Sequence, residues 1–359
     1  MRIFVTGVGG QLGYDVVNEL TNRGHIAIGS DIKPYNETWL DCRKNLLVSI
    51  LQSVNKIYNK VALINDYEYI CEEHLSDCKV KFNSIAIKSG FSVMGEFFTN
   101  YSTLKYDDEE MLINIVKEQL EKNKFILIDV DMYYWNPANY CYGKLHWNHK
   151  TLITRYDPEE TCFWVLDVGG DNYFGKYKIN LHEFYLAIDK MNNGIIEVCD
   201  LNDKVIIPNY TINNLKDNIY RQINSIEMVC NKYYWKMLDE DFKLNSYCDY
   251  IYITLKDIEF RHQANHILLS DINKIMRLDG FEEILALCKE IKKNWSIVKS
   301  LAYRLYYQDK LSERIKKVNN ILYRTLVMEK EMWEAVIQGL ETINYNVDIY
   351  NFSPNTVML

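Results

Sequence analysis

LHWNHKTLITRYDPEETCFWVLDVGG, residues 145–170, is the stretch on which the fold turns. Two apolar-rich runs, KTLITRY (150–156) and TCFWVLDV (161–168), flank Asp157-Pro158-Glu159-Glu160, a type I turn signature. So short a connection joins antiparallel neighbours, because a parallel crossover needs a dozen residues or more. Centring the turn between Pro158 and Glu159 sets His149 opposite Val168, one residue from Asp167. A slip or bulge of one residue brings His149 and Asp167 side by side at the open end of the hairpin, an imidazole held by a carboxylate.

Outward from the hairpin, FILIDVDMYYW (125–135) reads as a further strand, and helical periodicity places helices at 108–122 and 42–58. From about 211 to 341 the helical period dominates, with helices expected near 211–238, 256–276, 280–307 and 309–340, the pattern of an α-helical bundle. The hairpin and bundle together indicate an α+β chain. A length of 359 residues, 48% apolar and 13% aromatic, fits two packed domains. The formal charge of −8 argues against broad affinity for nucleic acid or a membrane surface. Nine scattered cysteines with no CxxC pair suggest neither a disulfide framework nor a zinc site, and point to a reducing, cytoplasmic setting. No run of eighteen apolar residues occurs, so no membrane span is expected.

WLDCRKNLLVSILQSVNK (39–56) supplies a possible partner for the histidine. Cys42 falls at the first turn of an amphipathic helix, directly after Asp41, a suitable N-cap. There the helix dipole and unsatisfied backbone N–H groups favour thiolate. The bland alternative is one ordinary buried cysteine among nine. His146 stands as an alternative to His149, and Asp157 to Asp167, although Asp157 belongs to the turn end; Asp129 and Asp131 read as structural or pocket-lining.

The order Cys42, His149, Asp167 is that of papain-like proteins. On DCRKNLL, VDMYYW, HWNHKTLITRYD and FWVLDVGG, residues 39–200 resemble the papain-like cysteine acyltransferases of antibiotic biosynthesis, the butirosin type, with related amide-forming homologues in thioamide-antibiotic assembly. The resemblance implies a papain-like catalytic domain over 36–205 and an α-helical domain over 206–359. It also implies Cys42 as nucleophile, His149 as base, Asp167 as its orienting partner, and acyl transfer from a carrier-protein thioester to an amine without metal or cofactor. In that family an amide side chain about six residues before the cysteine supports the oxyanion; Asn36 stands there, shorter than the usual Gln.

The N-terminus tells a different story. Thr6-Gly7-Val8-Gly9-Gly10-Gln11-Leu12-Gly13 between strands at 2–6 and 25–30, with Asp31 following, resembles the start of an extended short-chain dehydrogenase, whose glycine turn cradles a pyrophosphate. That resemblance implies a nicotinamide-dependent reductase or epimerase. After Pro34 no further βαβ series is evident. The Tyr-xxx-Lys pairs Tyr140/Lys144 and Tyr306/Lys310 are what chance supplies in so Tyr- and Lys-rich a chain. Residues 1–35 are therefore expected to form a Rossmann-like appendage.

Three smaller features complete the reading. His262 and His266 form HxxxH with Gln263 in place of the zinc-protease Glu, which favours ordinary helix positions. Asp107-Asp108-Glu109-Glu110 suits a helix start. Residues 289–324 carry ten Lys and Arg against three acids in an otherwise acidic chain, either a solvated face or a dock for an acidic carrier protein. A cysteine peptidase using the same three residues remains the nearest alternative to acyl transfer.

Overall fold

The structure, a computed structural model, describes residues 2–6, 16, 19–30, 42–75, 81–89, 98–137, 142–144, 146–168, 174–189, 195–201, 209–233, 247–278, 280–305, 311–343 and 346–352. In chain order these form β1 (Arg2–Thr6), β2 (Ile26–Ser30), α1 (Cys42–Val54), a 3-10 segment (Lys56–Leu63), β3 (Tyr67–Leu75), β4 (Lys81–Ser89), β5 (Phe98–Lys105) and α2 (Glu109–Glu121). There follow β6 (Phe125–Asp131), β7 (Asn148–Asp157), β8 (Cys162–Val168), β9 (Phe174–Asn180), α3 (Leu181–Asp189), β10 (Ile195–Leu201) and β11 (Tyr210–Thr211). The remainder is α4 (Ile212–Tyr233), α5 (Tyr247–Met276), α6 (Phe281–Leu305), α7 (Leu311–Glu341) and β12 (Asp348–Tyr350). The fold is α+β. Two compact units emerge, one from Met1–Val61 with Val93–Ile206, the other from Ala62–Ser92 with Ile207–Leu359. The segment 62–92, expected with the catalytic domain, thus groups with the helices, and the reason is the buried network that β3 makes there.

The first unit is built on an antiparallel sheet of order β5-β10-β6-β7-β8-β9. Its central strand β6 is nearly continuous in apolar residues, and Ile126, Leu127, Ile128 and Val130 are all buried, as a strand covered on both faces requires. The edge strand β5 is mostly exposed and polar, which discourages pairing with another chain. One face of the sheet packs with α2 and α3 around Leu112, Val116, Ile128, Val130, Ile153, Phe163, Val165 and Phe184. Helix α2 starts where the acidic run predicts: the Asp108 side chain accepts the Met111 N–H at 2.8 Å, capping it.

Two expectations need correction. The helix starting at Cys42 was expected to reach 58 but stops at Val54, because Asn55 accepts the Ile57 N–H on its side chain and starts a tighter turn. The strand from 125 was expected to reach Trp135 but ends at Asp131, whose carboxylate accepts the Tyr133 N–H at 3.0 Å while its carbonyl accepts that of Tyr134. At the N-terminus β1 and β2 do pair in parallel, and among the described residues they form a sheet of only two strands. The glycine turn 7–13 and Asp31 lie outside the described residues, as do Tyr140, Tyr306 and Lys310.

In the second unit the hairpin of β3 and β4 packs with α4 and α5, and α5, α6 and α7 pack in succession. Tyr67 and Tyr69, two apart on one face of β3, are buried and both donate to the Glu329 carboxylate of α7. Asn265 of α5 donates to the Tyr67 hydroxyl at 2.7 Å, and Trp333 donates to Glu329 at 3.3 Å. His262 Nε2 lies 3.2 Å from the same carboxylate, so one histidine of the HxxxH pattern serves this network.

Candidate functional site

The hairpin of β7 and β8 carries the site, and a bulge decides its geometry. Near the turn Asp157 pairs with Cys162, Tyr156 with Phe163 and Arg155 with Trp164; beyond it Ile153 pairs with Val165 and Leu152 with Leu166. Thr154 is the extra residue on β7. Side chains alternate between faces, so one inserted residue exchanges the faces of everything beyond it. Continuing the outer register sets Thr151 opposite Asp167, and His149, two residues on, shares that face. Val168 then lies across from Lys150, not from His149 as the turn alone suggested. Carried on without the bulge, the turn-end register would leave His149 and Asp167 on opposite faces.

His149 and Asp167 are joined, Nε2 of the imidazole to Oδ1 of the carboxylate, and both are buried. The second oxygen of Asp167 accepts the indole N–H of Trp135 at 2.8 Å. A donor on each oxygen fixes the plane of the carboxylate, and the carboxylate fixes the plane of the imidazole. A neutral His149 that donates from Nε2 bears its lone pair on Nδ1, the nitrogen that can take a proton from a nucleophile. In the sequence Trp135 reads only as the last residue of the strand expected over 125–135. The Asx turn at Asp131 ends β6 early and carries Trp135 round to Asp167, and no sequence period announces such a turn.

His146, the alternative base, has a carboxylate of its own. Its Nδ1 lies 2.7 Å from Asp131 Oδ2, and its ring stacks on Tyr133 with centroids 4.3 Å apart. The side chain is 65% exposed, against 7% for His149, so the second pair stands largely in water. Asp129 pairs with Lys150 at 2.9 Å, and Lys150 also bonds Glu197 at 2.6 Å, which ties β6, β7 and β10 together. Asp157, the alternative acid, is occupied in the turn: it accepts the Glu159 and Glu160 N–H groups and pairs with Arg155 at 3.0 Å.

Cys42 is the first residue of α1, and α1 packs against β7 and β8, the two strands that carry His149 and Asp167. The Cys42 side chain, its expected cap Asp41 and the expected oxyanion residue Asn36 lie outside the described residues. A comparison with known proteins returned no matching family model and no matching relative.

Three of the other thiols are disfavoured as nucleophiles. Burial pushes Cys288 up to about 12 and Cys230 up to about 11, and burial with the nearby Asp157 raises Cys162. Among the described residues no cluster of His, Cys, Asp or Glu could hold a metal ion, and no helix is long and apolar enough to cross a membrane.

Proposed function

We propose that the protein is a cysteine-dependent acyltransferase of papain-like fold that forms an amide. The observation that carries this reading is the buried His149–Asp167 pair, held by Trp135, on the two strands against which the helix beginning at Cys42 packs. The substrate class is a carrier-protein thioester as donor and a small amine as acceptor. Nδ1 of His149 takes the Cys42 proton as sulfur attacks the thioester carbonyl. Collapse of the tetrahedral adduct expels the carrier thiolate, which leaves with the proton from the imidazolium. The amine then attacks the Cys42 thioester, His149 removes its proton, and the amide departs as the Cys42 sulfur is released. Asp167 keeps the Nε2–H tautomer in place throughout and steadies the imidazolium. Thioester aminolysis runs downhill, so the reaction consumes no nucleotide.

Incubation with butyryl-N-acetylcysteamine, a minimal thioester, followed by intact-protein mass spectrometry tests this reading. A butyryl adduct is expected on the wild type, discharged faster by an added diamine than by water. Its persistence in Cys42→Ala would remove Cys42 as the nucleophile, and discharge by water alone would favour the peptidase reading.

A further inference from the structure

Between α5 and α6 lies a groove of about 510 Å³, lined by Glu259, Gln263 and His266 on one side and Lys289, Lys292, Lys293 and Ser296 on the other. Its volume lies within the range of small-molecule sites. The cationic side is dense: three ammonium groups fall within five residues of one helix, at the i, i+3 and i+4 spacings that make neighbours on a helix surface. The one carboxylate in the lining is engaged elsewhere, since Glu259 pairs with Lys299. Lys292 is held by the Gln263 side-chain oxygen at 2.5 Å, a neutral partner that positions the ammonium without cancelling it. Among the described residues no ion pair involves Lys289 or Lys293. The whole chain carries −8, so this concentration of positive charge is local.

We propose that the α5–α6 groove binds the phosphate groups of a phosphorylated small molecule. Concavity separates this occupant from an acidic protein surface, which would meet basic side chains on a flat or convex face. Lysine ammoniums act as mobile point charges suited to the several oxygens of a phosphate or diphosphate, and Gln263, Ser296 and His266 add neutral hydrogen-bonding groups. Burial, with Lys289 and Lys292 close by, lowers the His266 pKa, so its ring is neutral near pH 7 and donates through one N–H. The repulsion among the three lysines is a cost of the empty groove that a bound anion relieves. This site stands independently of the proposed acyl transfer.

Pyrophosphate is the probe, with titration calorimetry and thermal unfolding as readouts on the full chain. One saturable equivalent should bind and raise the melting temperature. In Lys289→Ala/Lys293→Ala affinity should fall about tenfold or more, because two charge-assisted contacts are lost. Lys316→Ala/Lys317→Ala removes the same charge from an exposed part of α7 and should bind as the wild type does. Equal weakening in both double variants would show diffuse attraction and overturn the site. So would the absence of saturable binding, or binding of a poly-glutamate peptide in preference to pyrophosphate. Cys42→Ala should bind pyrophosphate unchanged, which keeps this result separate from the fate of the acyl-transfer reading.

Discussion

Asp167 receives an imidazole on one oxygen and an indole on the other, and each donor constrains the carboxylate differently. Removal of the carboxylate leaves His149 free to choose its tautomer, whereas removal of the indole donor leaves the carboxylate free to tilt. Under the proposed chemistry, Asp167→Asn should lower the acylation rate by about 10²- to 10⁴-fold. Trp135→Phe deletes the N–H and keeps a smaller aromatic ring toward Phe184, so a loss of about 10- to 100-fold in acylation is expected, with a stability cost of about 1–3 kcal/mol for the volume removed. Single-turnover acylation by the thioester, with circular dichroism as the folding control, measures both. Equal losses in the two variants would mean that Trp135 acts on more than the orientation of Asp167. His146→Ala should change acylation little, since His146 bonds Asp131 rather than Asp167.

At the scale of elements, the bulge at Thr154 converts an ordinary hairpin into one that can pair His149 with Asp167. Deleting Thr154 would join the Arg155–Trp164 and Ile153–Val165 pairs into one regular ladder, with Leu152 and Ile153 still buried and His149 still on the face of Asp167. The expected outcome is a loss of about 1–2 kcal/mol in urea unfolding, the ordinary cost of a local change, with acylation retained. A folded deletion that loses acylation would show that the bulge sets the tilt of His149 as well as its face. The hairpin was legible because Asp157-Pro158 punctuates two apolar runs, and the four long helices because their apolar period spans many turns. The expectation of a one-residue irregularity was also legible, from the near-miss between His149 and Asp167, but its position was not, since Thr154 carries no local mark. The hairpin of β3 and β4 escaped the reading altogether. The inward positions at the start of β3 are Tyr67 and Tyr69, in a chain of 28 tyrosines, and Glu68 between them, with Glu72 and Glu73 further on, makes the stretch look like solvated surface. Edge strands β5 and β9 were missed for a related reason, since a half-exposed strand shows no apolar run. Of the proposed site, the histidine and acid are read from spacing and then found bonded, whereas the role of Trp135 depends on a turn made by an Asp side chain.

At the scale of the whole chain, acid and base press on the second unit from opposite sides. Burial alone would raise the Glu329 pKa, but the His262 charge and hydrogen bonds from His262, Tyr69 and Tyr67 outweigh it and hold the carboxyl below its usual range. A depressed folded-state value contributes stability that is present above the unfolded value, about 4.3, and is lost as pH falls through the folded one. Asp66 behaves oppositely. Burial pushes its carboxyl up to about 6, only partly countered by Arg261. A carboxyl raised in the folded state favours folding while protonated, so stability declines as pH rises from the unfolded value of about 3.9 through about 6, by about 1–3 kcal/mol. The two effects together predict a stability maximum for this unit on the acid side of neutrality, near pH 4–5. Urea unfolding between pH 3 and pH 8 should trace it. Asp66→Asn should flatten the upper limb and raise stability at pH 7, while Glu329→Gln should flatten the lower limb and cost about 1–3 kcal/mol at pH 7, because the buried donors Tyr67 and Tyr69 lose a charged acceptor. A maximum that stays in place in Asp66→Asn, or an acid limb that survives Glu329→Gln, would assign the titration to other carboxyls. Tyr69→Phe provides the intermediate case: it removes one donor to Glu329 and leaves His262 in place, so the acid limb should move toward higher pH without disappearing.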